Sequence, residues 1–144
     1  MNIGDIIWPS DPKAAFERYL TFVIKIAASL ELTYVARRRD PIEVAKGYLA
    51  GTISQGAYEA ERALWWSEIE RAERHGSRSK KALANRMAIM LVGKSPRDEH
   101  DYADHLDWLF QLLDLMHVGT AHARREMYAH FEFRESPPEP PRRR

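Results

Sequence analysis

The sequence predicts an all-α protein, a single compact bundle of five or six helices. Apolar residues recur at a period near 3.6 along almost the whole chain, and no convincing run of strict alternation appears. Residues that start and stop helices punctuate that pattern. At 144 residues, with 44% hydrophobic and 30% charged side chains, the chain has the balance of one ordinary globular domain. A domain of that length buries roughly 70% of the surface its unfolded chain exposes.

Ser10 or Asp11, followed by Pro12, opens a first helix expected to run to about Arg37. Phe16, Leu20, Val23, Ala27, Leu30 and Tyr34 form one stripe, broadened by Tyr19 and Ile26, and so wide a face marks a central helix. Asp40-Pro41, with Glu43 three residues after the cap, opens a short second helix that ends at Gly51. Thr52 with Gln55 offers a capping box for a third, reaching about Arg74 and closed by Gly76. Ser77 or Ser79 caps a fourth, which passes through Leu83, Met87, Met90 and Leu91 to Gly93. Ser95-Pro96 begins a fifth, with Asp98 in its first turn and Gly119 as its stop; Thr120 to about Phe133 is the last. The core seam is expected along Phe16, Leu20, Val23, Leu30, Leu64, Leu106, Leu109 and Leu113. Residues 10–134 form the helical domain, and the Pro- and Arg-rich residues 135–144 are expected to be a disordered tail.

Composition removes several classes of function. With no cysteine, disulfides, thiolate metal sites and cysteine nucleophiles are excluded. The amino terminus has no basic start and no apolar run of signal-peptide length. The most apolar stretch, residues 19–32, is interrupted by Lys25, Ser29 and Glu31 and is too short to span a bilayer. A soluble cytoplasmic protein with no membrane association is the expectation. Phosphate-binding glycine loops, dinucleotide fingerprints and the serine-hydrolase elbow are all missing. Net charge is +1, which disfavours a dedicated nucleic-acid binder. That charge is unevenly spread: Arg71, Arg74, Arg78, Lys80, Lys81 and Arg86 make a basic region, and Asp98 to Asp114 an acidic one. Neighbouring blocks of opposite sign complement each other within a fold or across a homodimer.

Five of the six histidines fall between His100 and His130. On the fifth helix Asp104, Asp107 and Asp114 cluster opposite the apolar stripe, while His105 and His117 sit at its margins. On the last helix His122, Glu126 and His130 stack at i, i+4 and i+8, a spacing that suits a divalent metal such as zinc. The H-E-x-x-H motif and the paired E-x-x-H motifs of di-iron bundles are absent.

On the third helix Glu61 and Glu68 fall inside the apolar arc of Ala57, Leu64, Trp65, Ile69 and Ala72. A carboxylate facing a core has to be paired, hydrogen-bonded or protonated. Arg86, His105 and His117 are the expected partners. Adjacent helical residues point about 100° apart, so if Trp65 packs inward Trp66 meets solvent or another surface. An exposed tryptophan suits a binding hot spot.

These features lead to a small helical protein that acts by protein–protein binding, of the adaptor, regulatory or toxin-neutralising type, with no catalytic residues and no cofactor. Trp66, Asp104, Asp107 and Asp114 are its candidate contacts. The alternative is a metal- or small-ligand-binding protein, with or without catalysis. Its pocket would be lined by Glu61, Glu68, His105 and His117, or its metal held by His122, Glu126 and His130.

Overall fold

A computed structural model describes residues 2–73 and 79–134. Six helices form: α1 (Pro12–Leu30), α2 (Pro41–Leu49), α3 (Gln55–Glu73), α4 (Lys80–Val92), α5 (Glu99–Leu115) and α6 (Ala121–His130). A 3-10 turn (Ile3–Asp5) and a two-residue antiparallel ribbon, β1 (Ile6–Ile7) with β2 (Glu132–Phe133), complete it. The all-α class expected from the periodicity is the class observed.

Side-chain caps fix most helix starts. The carboxylates of Asp11, Asp40 and Asp98 and the hydroxyls of Ser54 and Ser79 accept hydrogen bonds from the first free backbone N–H groups. For α3 and α5 the capping residue lies two or three positions later than expected, at Ser54 and Asp98 in place of Thr52 and Ser95. Gly51 closes the turn after α2 with a φ of 78°, which a residue without Cβ adopts freely.

The helix at the centre is α4, not α1. It packs on α1, α2, α3 and α5, and from Ala82 to Val92 only Arg86 escapes full burial. Alanines at 82, 84 and 88 let neighbouring backbones approach closely, so burial here follows small volume as much as hydrophobicity.

Other boundaries differ for physical reasons. α1 stops at Leu30 because Glu31 turns left-handed, at φ 51°, and residues 31–40 leave the helix. α5 ends at Leu115, with His117 left-handed at φ 58°, so Gly119 is not its stop. α6 ends at His130 because Phe131 leaves the helix and the next two residues pair with β1.

The packed unit also begins before residue 10. Ile6 and Trp8 are in the core, and Trp8 stacks on Tyr102 at 4.2 Å between ring centroids. Leu64, placed in the core seam from sequence, is 41% exposed, because α3 turns Tyr58, Glu61, Trp65, Glu68 and Ile69 inward instead. The proline-rich residues 135–144 and the expected helix stop at Gly76 lie outside the described residues. Among the described residues no helix is long and apolar enough to cross a membrane.

Leu109 is fully buried on α5. Leu109→Ala is expected to cost about 2–5 kcal/mol, the range for a leucine truncated in a packed core. Urea unfolding of the two proteins, with unchanged m-value, measures it directly.

Candidate functional site

Both inward glutamates of α3 are buried, but their surroundings differ. Glu68 is clamped by the loop that follows α1. Arg37 Nε donates to Oε1 at 2.8 Å and Arg37 Nη2 to Oε2, while Arg38 Nε lies 3.5 Å from Oε1. The Arg37 hydrogen bonds are the main reason the Glu68 carboxyl is held below its ordinary range, with the charges of Arg37, Arg71 and Arg38 adding to them against the opposing effect of burial. Asn85 Nδ2 on α4 donates to the Glu68 carbonyl at 3.3 Å. Sequence reasoning foresaw basic or histidine partners, among Arg86, His105 and His117, and did not name Arg37 and Arg38, because it left residues 31–37 inside a helix.

Glu61 is closed in differently. Its Oε2 makes no hydrogen bond among the described residues, and neither do four other buried polar atoms of this region: Tyr34 Oη, Arg38 Nε, Trp65 Nε1 and Asn85 Oδ1. Tyr34 meets Trp65 edge-on at 6.1 Å.

The four residues of the expected Glu/His pocket are not brought together. His105 Nδ1–H donates to the Asp101 carbonyl at 2.7 Å and the ring stands edge-on to Tyr19. His117 is exposed beyond the end of α5.

The expected metal triad is not assembled either. Glu126 faces Lys25 at 3.9 Å and His122 is exposed. His130 Nε2–H donates to the Arg18 carbonyl at 2.8 Å beside Phe22 and Phe131. Burial pushes the His130 pKa down. Among the described residues no three His, Asp or Glu side chains are placed to hold a metal. Correct helical spacing put three donors on one face, but two of them turn to partners on α1.

Trp66 is 50% exposed, and Asp104, Asp107 and Asp114 are exposed and make no ion pair among the described residues. Trp66 and these acids belong to α3 and α5, which both pack on α4 and have little or no direct contact. Asp107 borders a small cleft with Phe110 and Arg124. Asp114 borders something larger.

That larger feature is a groove of about 1230 Å³, formed by the end of α1 and the loop after it, the start of α4 and the end of α5. Leu30, Leu32, Val35, Leu83, Leu115 and Val118 supply its apolar lining, and Leu115 is 43% exposed. Its charged residues are Glu31, Arg37, Lys80, Lys81 and Asp114, with His117 beside them. Sequence reasoning missed the groove. One signal was present: from Leu30 the sequence reads L-E-L-T-Y-V, an alternation that departs from the helical period where α1 ends.

The helix ends at this groove carry charges of the wrong sign for their dipoles. A helix N-terminus favours acids and a C-terminus favours bases. Yet α4 begins with Lys80 and Lys81 and has no acid in its first turn. α1 ends on Glu31 and α5 has Asp114 in its last turn, with no base in either last turn. Each reversal costs about 0.3–1 kcal/mol. The other end of α4 obeys the rule, since Arg62 donates to the carbonyls of Val92 and Gly93 at 2.9 and 3.2 Å. Lys80, Lys81, Glu31 and Asp114 make no ion pair among the described residues.

No protein-family model matches the chain, and neither a curated protein nor a solved structure does. Fold and site therefore define the class on their own: an all-α bundle with an open, partly apolar groove where three helix ends meet.

Two stability effects follow from the shifted groups. The stabilisation from Glu68 is fully present above its unfolded pKa, near 4.5, and is lost as pH falls through its depressed folded value. Glu68→Gln is expected to cost about 1.5–3 kcal/mol near neutral pH, the range for hydrogen bonds to a charged group, with the difference from the parent shrinking in acid. The depressed His130 contributes stability that is fully present above its unfolded pKa, near 6.5, and is lost as pH falls below it, a window higher than that of Glu68. Melting temperatures between pH 3 and 8 for the parent, Glu68→Gln and His130→Gln separate the two windows.

Proposed function

We propose that this protein works in the cytoplasm by binding another protein through the groove at the ends of α1, α4 and α5, without chemistry of its own. The groove is the observation that carries the reading. Small-molecule sites span about 300–1000 Å³, and this one is larger and open to solvent. Its apolar lining would gain from being covered, and Leu115 is placed as an anchor. The unpaired charges around it would set orientation and specificity. The exposed carboxylates of Asp104 and Asp107 add a negative surface on α5, and Trp66 a separate apolar contact on α3. An adaptor, a regulator or a toxin-neutralising protein would use surfaces of this kind.

A second reading, binding of a small polar ligand, is supported by one observation only. Four buried polar atoms, Glu61 Oε2, Tyr34 Oη, Trp65 Nε1 and Asn85 Oδ1, make no hydrogen bond among the described residues and would welcome partners from water or a solute.

Partner capture from the native host tests the proposal. Leu115→Asp is expected to reduce capture at least tenfold while leaving circular dichroism and melting temperature near those of the parent. Charge reversal at Asp104 and Asp107 is expected to slow association and weaken it less. Full capture by both variants would remove the groove and the acidic face together.

A further inference from the structure

We infer that the groove takes a particular kind of partner segment: a short amphipathic helix whose acidic and basic residues are segregated. This inference rests on the protein-binding reading above and specifies its partner.

The first argument is size and backbone chemistry. A helix has a diameter of about 10–12 Å, so the groove accommodates roughly two to three turns. Its walls are helix ends and the loop after α1, and the ribbon's strands are not among the residues that line it. An extended peptide would lay unpaired backbone N–H and C=O groups across an apolar lining. A helix satisfies its own backbone and presents side chains at i, i+3, i+4 and i+7.

The second argument is charge. Arg37 lines the groove but is committed to Glu68, so the cations left without an ion pair among the described residues are Lys80 and Lys81, both on the first turn of α4. The acids in the same position, Glu31 and Asp114, come from two helix C-termini. At each of these ends the helix dipole has the same sign as the side chains, so neither cancels the other. The groove therefore presents a positive region at the start of α4 and a negative one at the ends of α1 and α5. A uniformly acidic or uniformly basic segment would be repelled by one of them. A segment with carboxylates toward Lys80 and Lys81, and lysine or arginine toward Glu31 and Asp114, is attracted by both.

The same arrangement supplies a control. Charges that oppose their helix dipoles weaken the free protein, so correcting them should stabilise the fold while removing the binding site. Lys80→Glu with Lys81→Glu is expected to raise the melting temperature by about 2–6 °C, a direction that a misfolded variant would not give.

The test uses a displayed library of random 16-residue peptides selected on the full chain. The expected pool carries apolar residues at helical spacing together with both acidic and basic positions. Its peptides should bind Lys80→Glu/Lys81→Glu at least tenfold more weakly, although that variant melts higher, and binding to the parent should weaken with salt. A pool without charge preference, or one that binds the double variant undiminished, overturns the inference. So does a fall in the variant's melting temperature, because the helix ends would then not be mismatched. If Leu115→Asp still abolishes capture of the native partner in either case, the protein-binding reading stands and only the partner's chemistry is wrong. If Leu115→Asp captures the partner fully, both fall.

Discussion

Glu68 sets much of what the rest of this molecule can be. Its carboxylate is carried inward on α3 between Trp65 and Ile69, where an unpaired charge would be prohibitively costly. Two consecutive arginines, Arg37 and Arg38, reach it from the loop after α1, and Asn85 ties the adjoining backbone to α4. One ionised group thus joins three parts of the chain that are far apart in sequence. Its energetic contribution is modest, because Arg37 is about half exposed and water screens part of the attraction. Its geometric contribution is larger. Arg37 and Arg38 can meet Glu68 only if α1 has already ended, so the pair goes with a left-handed turn at Glu31 and a non-helical path for residues 31–40.

That path creates the groove. Were α1 to continue to Arg37, Leu32, Tyr34 and Val35 would lie on a helix surface instead of along a wall facing α4 and α5. The buried ion pair and the open groove are two sides of one loop: its arginines point to α3 while its apolar residues line the cleft. The core beneath is built on α4, whose alanines bring four other helices close and whose first turn forms part of the groove. A site formed by helix ends over so tightly packed a centre is held in place by the core itself, which keeps its charges at fixed positions.

The sequence made the helices legible and their ends less so. Periodicity depends on side chains repeating every turn, and that signal is strong within α1, α2 and α5. Endings depend on single residues, and here two helices turn left-handed on glutamate and histidine, residues that carry no stop signal comparable to glycine. Glu61 and Glu68 were readable as inward because the wheel places them beside Trp65. Their partners were not, since a contact across 31 residues of sequence leaves no periodic trace. Leu64 failed for a related reason. Hydrophobicity alone assigned it to the core, whereas Tyr58 and Trp65 fix the α3 face about 100° away. The groove left only the alternation from Leu30 as a trace, because it belongs to no single element.

The left-handed residues and the mismatched charges bear on each other. Glycine at 31 would close α1 with less strain and without a carboxylate at a negative helix end, and glycine at 117 would relieve the same backbone strain after α5. In their place stand Glu31 and His117, both at the groove. Lysines open α4 although an acid or a neutral residue would serve its N-terminus better. Elsewhere most ends follow the ordinary rules, with aspartates and serines capping helix starts and Arg62 covering the carbonyls at the end of α4, although Lys13 sits in the first turn of α1 and Arg124 in that of α6. The departures are densest at the groove, where three helix ends meet and each carries the charge its dipole disfavours. The same residues that make the free protein less stable than its fold allows give the groove its pattern of charge, and that pattern is what a partner can recognise.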